Sequence, residues 1–172
     1  MRLKNSMCDV KCSRLLSTWV KAPQLRGAKI LIASACLPVV APQLYKQLVA
    51  EADFVLLACP EQESAMHYGK LASMIRSSRP KSITVVTVDG SPHCFALQAA
   101  VNEAEYILGE KIERKHYVVL DGEELVEIKP EAIRVARYLS LVTKIVKKSP
   151  EILEELKRHS LEHRQAERLN KQ

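Results

Sequence analysis

The 172-residue chain is poor in glycine, with five, and in aromatic residues, at 5%. The first strand-to-helix segment, Ala33-Ser34-Ala35-Cys36-Leu37-Pro38, has no glycine to let a pyrophosphate approach the backbone, and no phosphate-loop lysine motif occurs. Dinucleotide and nucleoside triphosphate cradles are therefore disfavoured. No apolar run reaches the roughly 18 to 20 residues of a membrane span. The longest, Ile30 to Ala41, is broken by Ser34 and Pro38 and stops at Pro42. Arg2, Lys4, Asp9, Lys11 and Arg14 leave no room for the apolar core of a secretory signal. These absences predict a cytoplasmic protein without a membrane span.

What is present is cysteine and unevenly placed charge. Five cysteines are an odd number in a chain long enough to build its own core, so thiol chemistry or metal ligation is expected ahead of a disulfide framework. The net charge is +6; residues 1–28 hold six Lys/Arg against one acid, and residues 129–172 hold eleven against six. The middle holds nine against thirteen. Basic ends can contact an acidic protein or nucleic acid, but solvated basic helices are common, and nucleic acid is disfavoured as a partner.

Between residues 28 and 128 short β-rich apolar runs alternate with helical periodicity, the pattern of βαβ units around a parallel sheet. Ala28–Ala35, Asp53–Ala58 and Ser82–Val88 read as strands buried on both faces. Helices are expected over Pro42–Ala52, over Glu61–Ser77 and over Cys94–Leu108, the last with Phe95, Leu97, Val101, Ala104 and Ile107 inward and Gly109 closing it. His116–Leu120 and Glu124–Ile128 flank an Asp121-Gly122 turn and read as a hairpin. One helix is expected over Glu131–Lys147 and another after the Ser149-Pro150-Glu151 cap. Trp19, with Leu15 and Leu16, is expected to pack the N-terminal segment onto the domain. The predicted class is α/β: a three-layer Rossmann-like (flavodoxin-like) short parallel sheet with an added β-hairpin and two C-terminal helices. Its expected parts are a basic segment, 1–27, an α/β domain, 28–148, and a C-terminal helix, 149–172.

Cys36, Cys59 and Cys94 each follow one of the three strands, so a parallel sheet carries them all at one edge. Open α/β sheets bind ligands outside the carboxyl ends of their strands, where helix N-termini also favour anionic groups such as thiolates. Cys8 and Cys12, four apart, share a face if their segment is helical. These five are the candidate ligands of an iron–sulfur cluster, which needs about four converging thiolates. Zinc is the alternative. A bland reading also stands, in which the interior cysteines are small core hydrophobes. Neither a C-x₂-C pair nor a C-x₂-C-x₂-C run is present, and position 15, where a radical-enzyme C-x₃-C-x₂-C pattern needs cysteine, is Leu15. The Cys8-to-Arg14 match to a phosphatase loop lacks both a preceding strand and a glycine.

The stretch Ala52-Asp53-Phe54-Val55-Leu56-Leu57-Ala58-Cys59-Pro60, continued to His67-Tyr68-Gly69, resembles the cysteine-cluster segment in the iron–sulfur (delta) subunit of viologen-reducing hydrogenase. The likeness covers about 70 residues and extends to a preceding strand ending at Cys36 and to an N-terminal cysteine pair. It implies a ferredoxin-like, cluster-binding electron-transfer module that serves a larger oxidoreductase complex. Two departures stand against it: no second cysteine follows Cys59 shortly, and nothing from Glu110 onward corresponds.

Other residues carry weaker signals. Asp89-Gly90-Ser91-Pro92-His93-Cys94 is a dense polar strand end, where Ser91 reads as a helix cap and a Cys–His nucleophile lacks an oriented third member. His67, the His159/His163 pair, and Glu61 and Glu63 read mainly as solvated helix positions. The preferred function is an iron–sulfur or thiol-based redox accessory protein, partnered by a larger oxidoreductase or by further copies of itself. The alternative is a non-catalytic Rossmann-like binding or assembly module whose basic terminal helices contact a protein or nucleic-acid partner. Whether it is an enzyme is left open.

Overall fold

The computed structural model describes residues 11–63 and 67–170. Contacts divide the chain into two compact units, Met1–Lys129 and Pro130–Gln172.

In the first unit, β1 (Cys12–Arg14) precedes β2 (Lys29–Ser34), α1 (Leu37–Val40), α2 (Pro42–Glu51) and β3 (Phe54–Ala58). Then come α3 (His67–Ser78), β4 (Ser82–Val88), α4 (Pro92–Leu108), β5 (Arg114–Leu120) and β6 (Glu124–Ile128). One sheet has the order β1-β3-β2-β4-β5-β6; only the β5–β6 pair is antiparallel. The three interior strands fall where the apolar runs place them, because each is buried on both faces. Ile30, Ile32, Phe54, Leu56, Ile83 and Val85 pack on one side with Leu71, Met74, Leu97 and Val101 of α3 and α4. Leu31, Ala33, Val55, Val86 and Val119 pack on the other with Leu37 and Ala41, against which Leu44 and Leu48 lie. Each fully buried Leu or Ile contributes about 1.5–3 kcal/mol by leaving water.

The hairpin turns where it is expected. Asp121 (φ +50°) and Gly122 (φ +80°) both take left-handed backbone, the conformation that Asp-Gly supplies in a hairpin. A Cβ at Gly122 would stand 3.1 Å from the Val40 carbonyl oxygen, so the turn and α1 are in close contact.

Four expectations are corrected. The segment before β2 is not helical at Cys12; it adds a short parallel edge strand, with Cys12 in register with Val55. Leu15 is fully buried there, but Trp19 is 65% exposed and does not anchor it. On α4, Leu97, Val101 and Ala104 face inward, while Ile107 is exposed and Phe95 partly so; Cys94, Gln98 and Asn102 are buried instead. Polar partners on β2 for Cys94, and on β4 and β5 for Gln98 and Asn102, let these side chains turn inward. Glu61 stands in a turn and outside α3 (His67–Ser78); Ala65 of the expected inward stripe lies outside the described residues.

The second unit consists of α5 (Pro130–Ala136), α6 (Leu139–Lys148), α7 (Ile152–His159) and α8 (Leu161–Leu169). Each of the two expected helices is thus broken in two. The second break has a local cause: Ser160 is extended (φ −99°, ψ 111°), ends α7, and accepts the His163 N–H at 3.1 Å as the cap of α8. Among the described residues no helix is long and apolar enough to cross a membrane.

Candidate functional site

Strand order creates the site. The chain leaves β2 for β3 on one side and returns to β4 on the other, so β2 and β4 form the switch point where such sheets open a crevice at their carboxyl ends. Ser34 ends β2 and Cys94 lies in the first turn of α4, just after β4. Their side chains meet across the crevice, Ser34 Oγ to Cys94 Sγ at 3.2 Å, both buried. Ser91 caps α4 as expected, accepting the Cys94 N–H at 3.3 Å, and so sets the position of the thiol.

Cys36 follows β2 and is exposed; Cys59 follows β3 and is half-buried; Cys94 is buried; all three are free thiols. Backbone bonds tie the loops together, with the Ala35 N–H donating to the Ala58 carbonyl at 2.9 Å. The Cys59 N–H donates to Glu63 Oε2 at 3.3 Å, closing the turn that follows. Although the residue as a whole is exposed, neighbouring protein displaces water from the Cys36 thiol, and this desolvation pushes its pKa up. Negative charge on Cys94 raises it further, a backbone hydrogen bond opposes, and Cys59 adds a smaller push upward.

The remaining cysteine candidates stand differently. Cys12 is disulfide-bonded and sits beside Val55, four positions before Cys59, or about 13 Å along a strand. It does not join the strand-end thiols. Cys8, and the side chain of His67, lie outside the described residues. His93 is exposed, with Nδ1 3.9 Å from Glu61 Oε2. Among the described residues no three His, Cys, Asp or Glu side chains are grouped to hold a metal ion as they are placed.

A second group of polar residues went unrecognised in the sequence. Cys94, Gln98, Asn102 and Glu105 recur every three or four residues along α4, one face of the helix. Gln98 Nε2 donates to Thr87 Oγ1 at 3.0 Å and to the Tyr117 carbonyl at 2.8 Å. Arg114 donates to Asn102 Oδ1 from Nε and Nη2, at 3.2 and 2.9 Å, and is ion-paired with Glu105. This polar seam starts at the thiol edge and runs down the sheet. The spacing within an otherwise apolar helix was its available signal.

A cavity of about 860 Å³ opens at the other edge, over the N-terminal ends of β2, β4 and β5 and lined by Lys29, Glu51, Asp53, Glu113 and Lys115 among others. It holds no cysteine and its charges are mixed. The strand carboxyl ends, with their thiols and buried hydroxyl, are the better candidate.

A family model described as a Rossmann-like domain matches residues 22–172. An uncharacterized protein of Archaeoglobus fulgidus is 31% identical over 99 residues, which are 58% of this chain and 69% of that relative. No solved structure matches. Neither matching description mentions a hydrogenase or a cluster. With most of its length matched and with a largely parallel α/β sheet, the chain belongs to the Rossmann-like domain family.

Proposed function

We propose that this Rossmann-like domain is a thiol-based redox module, an electron-transfer or redox accessory protein whose working groups are Cys36, Cys59 and Cys94. The observation that carries the reading is that the segments following β2, β3 and β4 set three free thiols at one edge of the sheet, the edge of its switch point. The acids Glu61, Glu63 and Asp89 on the same loops make an anionic nucleotide a poor fit there. The donor chemistry fits a thiophilic group: soft sulfur ligands of graded exposure, with the Ser34 hydroxyl beside the buried one. As placed, Cys36, Cys59 and Cys94 are not grouped to hold a metal ion; an iron–sulfur cluster, which when bound would supply one-electron chemistry, or zinc as the competing occupant, would need them to draw together and a fourth ligand to join them. Ser91 and Ser34 keep the Cys94 sulfur in place, and Glu63 holds the Cys59 turn.

The test is anaerobic purification followed by visible absorption and by counts of iron, zinc and acid-labile sulfide per chain. Thiolate-to-iron absorption with matching iron and sulfide, lost on Cys36→Ser, Cys59→Ser or Cys94→Ser, is the expected result. A colourless, metal-free chain whose thiols also fail to cycle between reduced and oxidised forms overturns the reading.

A non-catalytic binding or assembly module is the second reading, favoured by the second unit. Its α6, α7 and α8 contain no buried residue, and Leu139, Leu141, Ile145, Ile152, Leu156 and Leu161 are exposed. Exposed apolar residues on short helices, of which α6 is basic with Lys144, Lys147 and Lys148, are the kind of surface that a protein partner covers. Under this reading, serine at the three thiols leaves partner capture unchanged, and charge reversal at Lys144, Lys147 and Lys148 abolishes it.

A further inference from the structure

We infer that the edge around Cys36 is a docking surface for a redox protein that presents a basic rim around an apolar centre. The inference rests on the thiol-redox reading and names the partner class for that same site.

Cys36 is the outermost of the three free thiols. Directly after it α1 exposes Val39, at 79%, and Val40, at 43%; Phe95, next to Cys94, is also exposed. Apolar side chains beside a thiol favour a dry contact over open solvent. Acids ring them: Glu61 follows Cys59, Asp89 follows β4, and Glu123 follows the Gly122 turn that touches Val40. The loops after β2, β3, β4 and β5 carry no lysine or arginine among the described residues. On the β1 side Arg14 ends its strand, and Lys70 Nζ donates to the Leu16 carbonyl at 2.6 Å.

An acidic rim excludes nucleic acid and anionic lipid as occupants and steers a basic protein. A few apolar side chains suit the small, transient contacts typical of electron-transfer partners, below about 1,200 Å² in total. A stable oligomer needs more. The exposed position of Cys36 puts the route of exchange at the centre of this contact, with the buried Cys94 behind it.

The probe is cytochrome c, a small basic haem protein, together with its succinylated form, in which lysine charge is reversed on the same fold. Titration of the full chain at low salt should show binding of the native probe and none of the succinylated one. Glu61→Lys with Asp89→Lys should lower the association rate about tenfold. The matched reversal at the opposite edge, Glu51→Lys with Glu113→Lys, should leave it unchanged, and Val39→Ser should speed dissociation. Equal loss from both reversals, or no binding of the native probe, overturns the inference. The Cys36→Ser/Cys59→Ser/Cys94→Ser chain separates the two claims. Docking retained by that chain, from a parent that carries no metal and whose thiols do not cycle, sinks the redox reading alone. Iron and sulfide loading without docking sinks the docking surface alone.

Discussion

Arg114 Nε donates to His116 Nε2 at 3.0 Å, so the imidazole of this buried histidine accepts on that nitrogen and carries its proton on Nδ1. Nδ1–H then donates to Gln98 Oε1 at 2.6 Å, and the Gln98 amide donates onward to Thr87 and Tyr117. Every bond in the chain has one direction, which holds α4 at a single register on β4 and β5. A polar core of this kind specifies position where an apolar one tolerates sliding.

Replacing His116 by leucine keeps the volume roughly constant and strands the Gln98 carbonyl oxygen, while the Arg114 Nε–H keeps Asn102 Oδ1 as its acceptor at 3.2 Å. A loss of about 1–3 kcal/mol is expected, the cost of one buried group left unsatisfied. Urea unfolding checks it; an unchanged midpoint would show that water reaches the seam.

The Arg114–Glu105 pair is almost buried on the arginine side and one-fifth exposed on the glutamate side. Arg114→Met should cost about 3–5 kcal/mol by leaving Glu105 uncompensated, and adding Glu105→Leu should recover much of it. A double-mutant cycle in unfolding free energy measures the coupling, and strict additivity of the two losses contradicts it.

Cys36 is a reluctant thiolate. Its pKa is raised first by desolvation, then by Cys94 and, to a smaller extent, by Cys59, so at neutral pH it is overwhelmingly the thiol and reacts slowly with iodoacetamide. Removing a neighbouring negative charge favours the charged form, so Cys94→Ser should move the pH midpoint of Cys36 alkylation downward, and Cys59→Ser should move it less. Desolvation keeps both midpoints above that of a free cysteine. Mass-resolved alkylation rates across pH give the answer, with an upward move contradicting the assignment.

Gly122→Ala places a Cβ on left-handed backbone and against the Val40 carbonyl. It should lower stability by about 1–2 kcal/mol. Ser91→Ala, which removes the α4 cap beside Cys94, should cost about 1 kcal/mol. Thermal or urea melts read both, and Ser91→Thr should restore the second.

The three interior strands, the hairpin, the Ser91 cap and the single edge that carries Cys36, Cys59 and Cys94 were all legible in the chain. Each depends on a short-range signal: a buried apolar run of five to seven residues, an Asp-Gly turn, or a cap before a helix. The seam was not legible, because Gln98, Asn102 and His116 look like ordinary surface polar residues until β4 and β5 provide their partners. Trp19 misled for the reverse reason, since a large apolar side chain has no local mark that leaves it outside.

By itself, then, the sequence determined the alternating α/β class and the side of the sheet on which the thiols stand, since periodicity and turn chemistry act within a few residues. Only the tertiary structure decided that β2 and β4 are neighbours, that Ser34 therefore meets Cys94 sixty residues away, and that Cys12, disulfide-bonded, stands beside Val55, apart from the three strand-end thiols. Strand order is settled by packing between segments distant in the chain, where burial and hydrogen-bond satisfaction are collective and no local signal reports them.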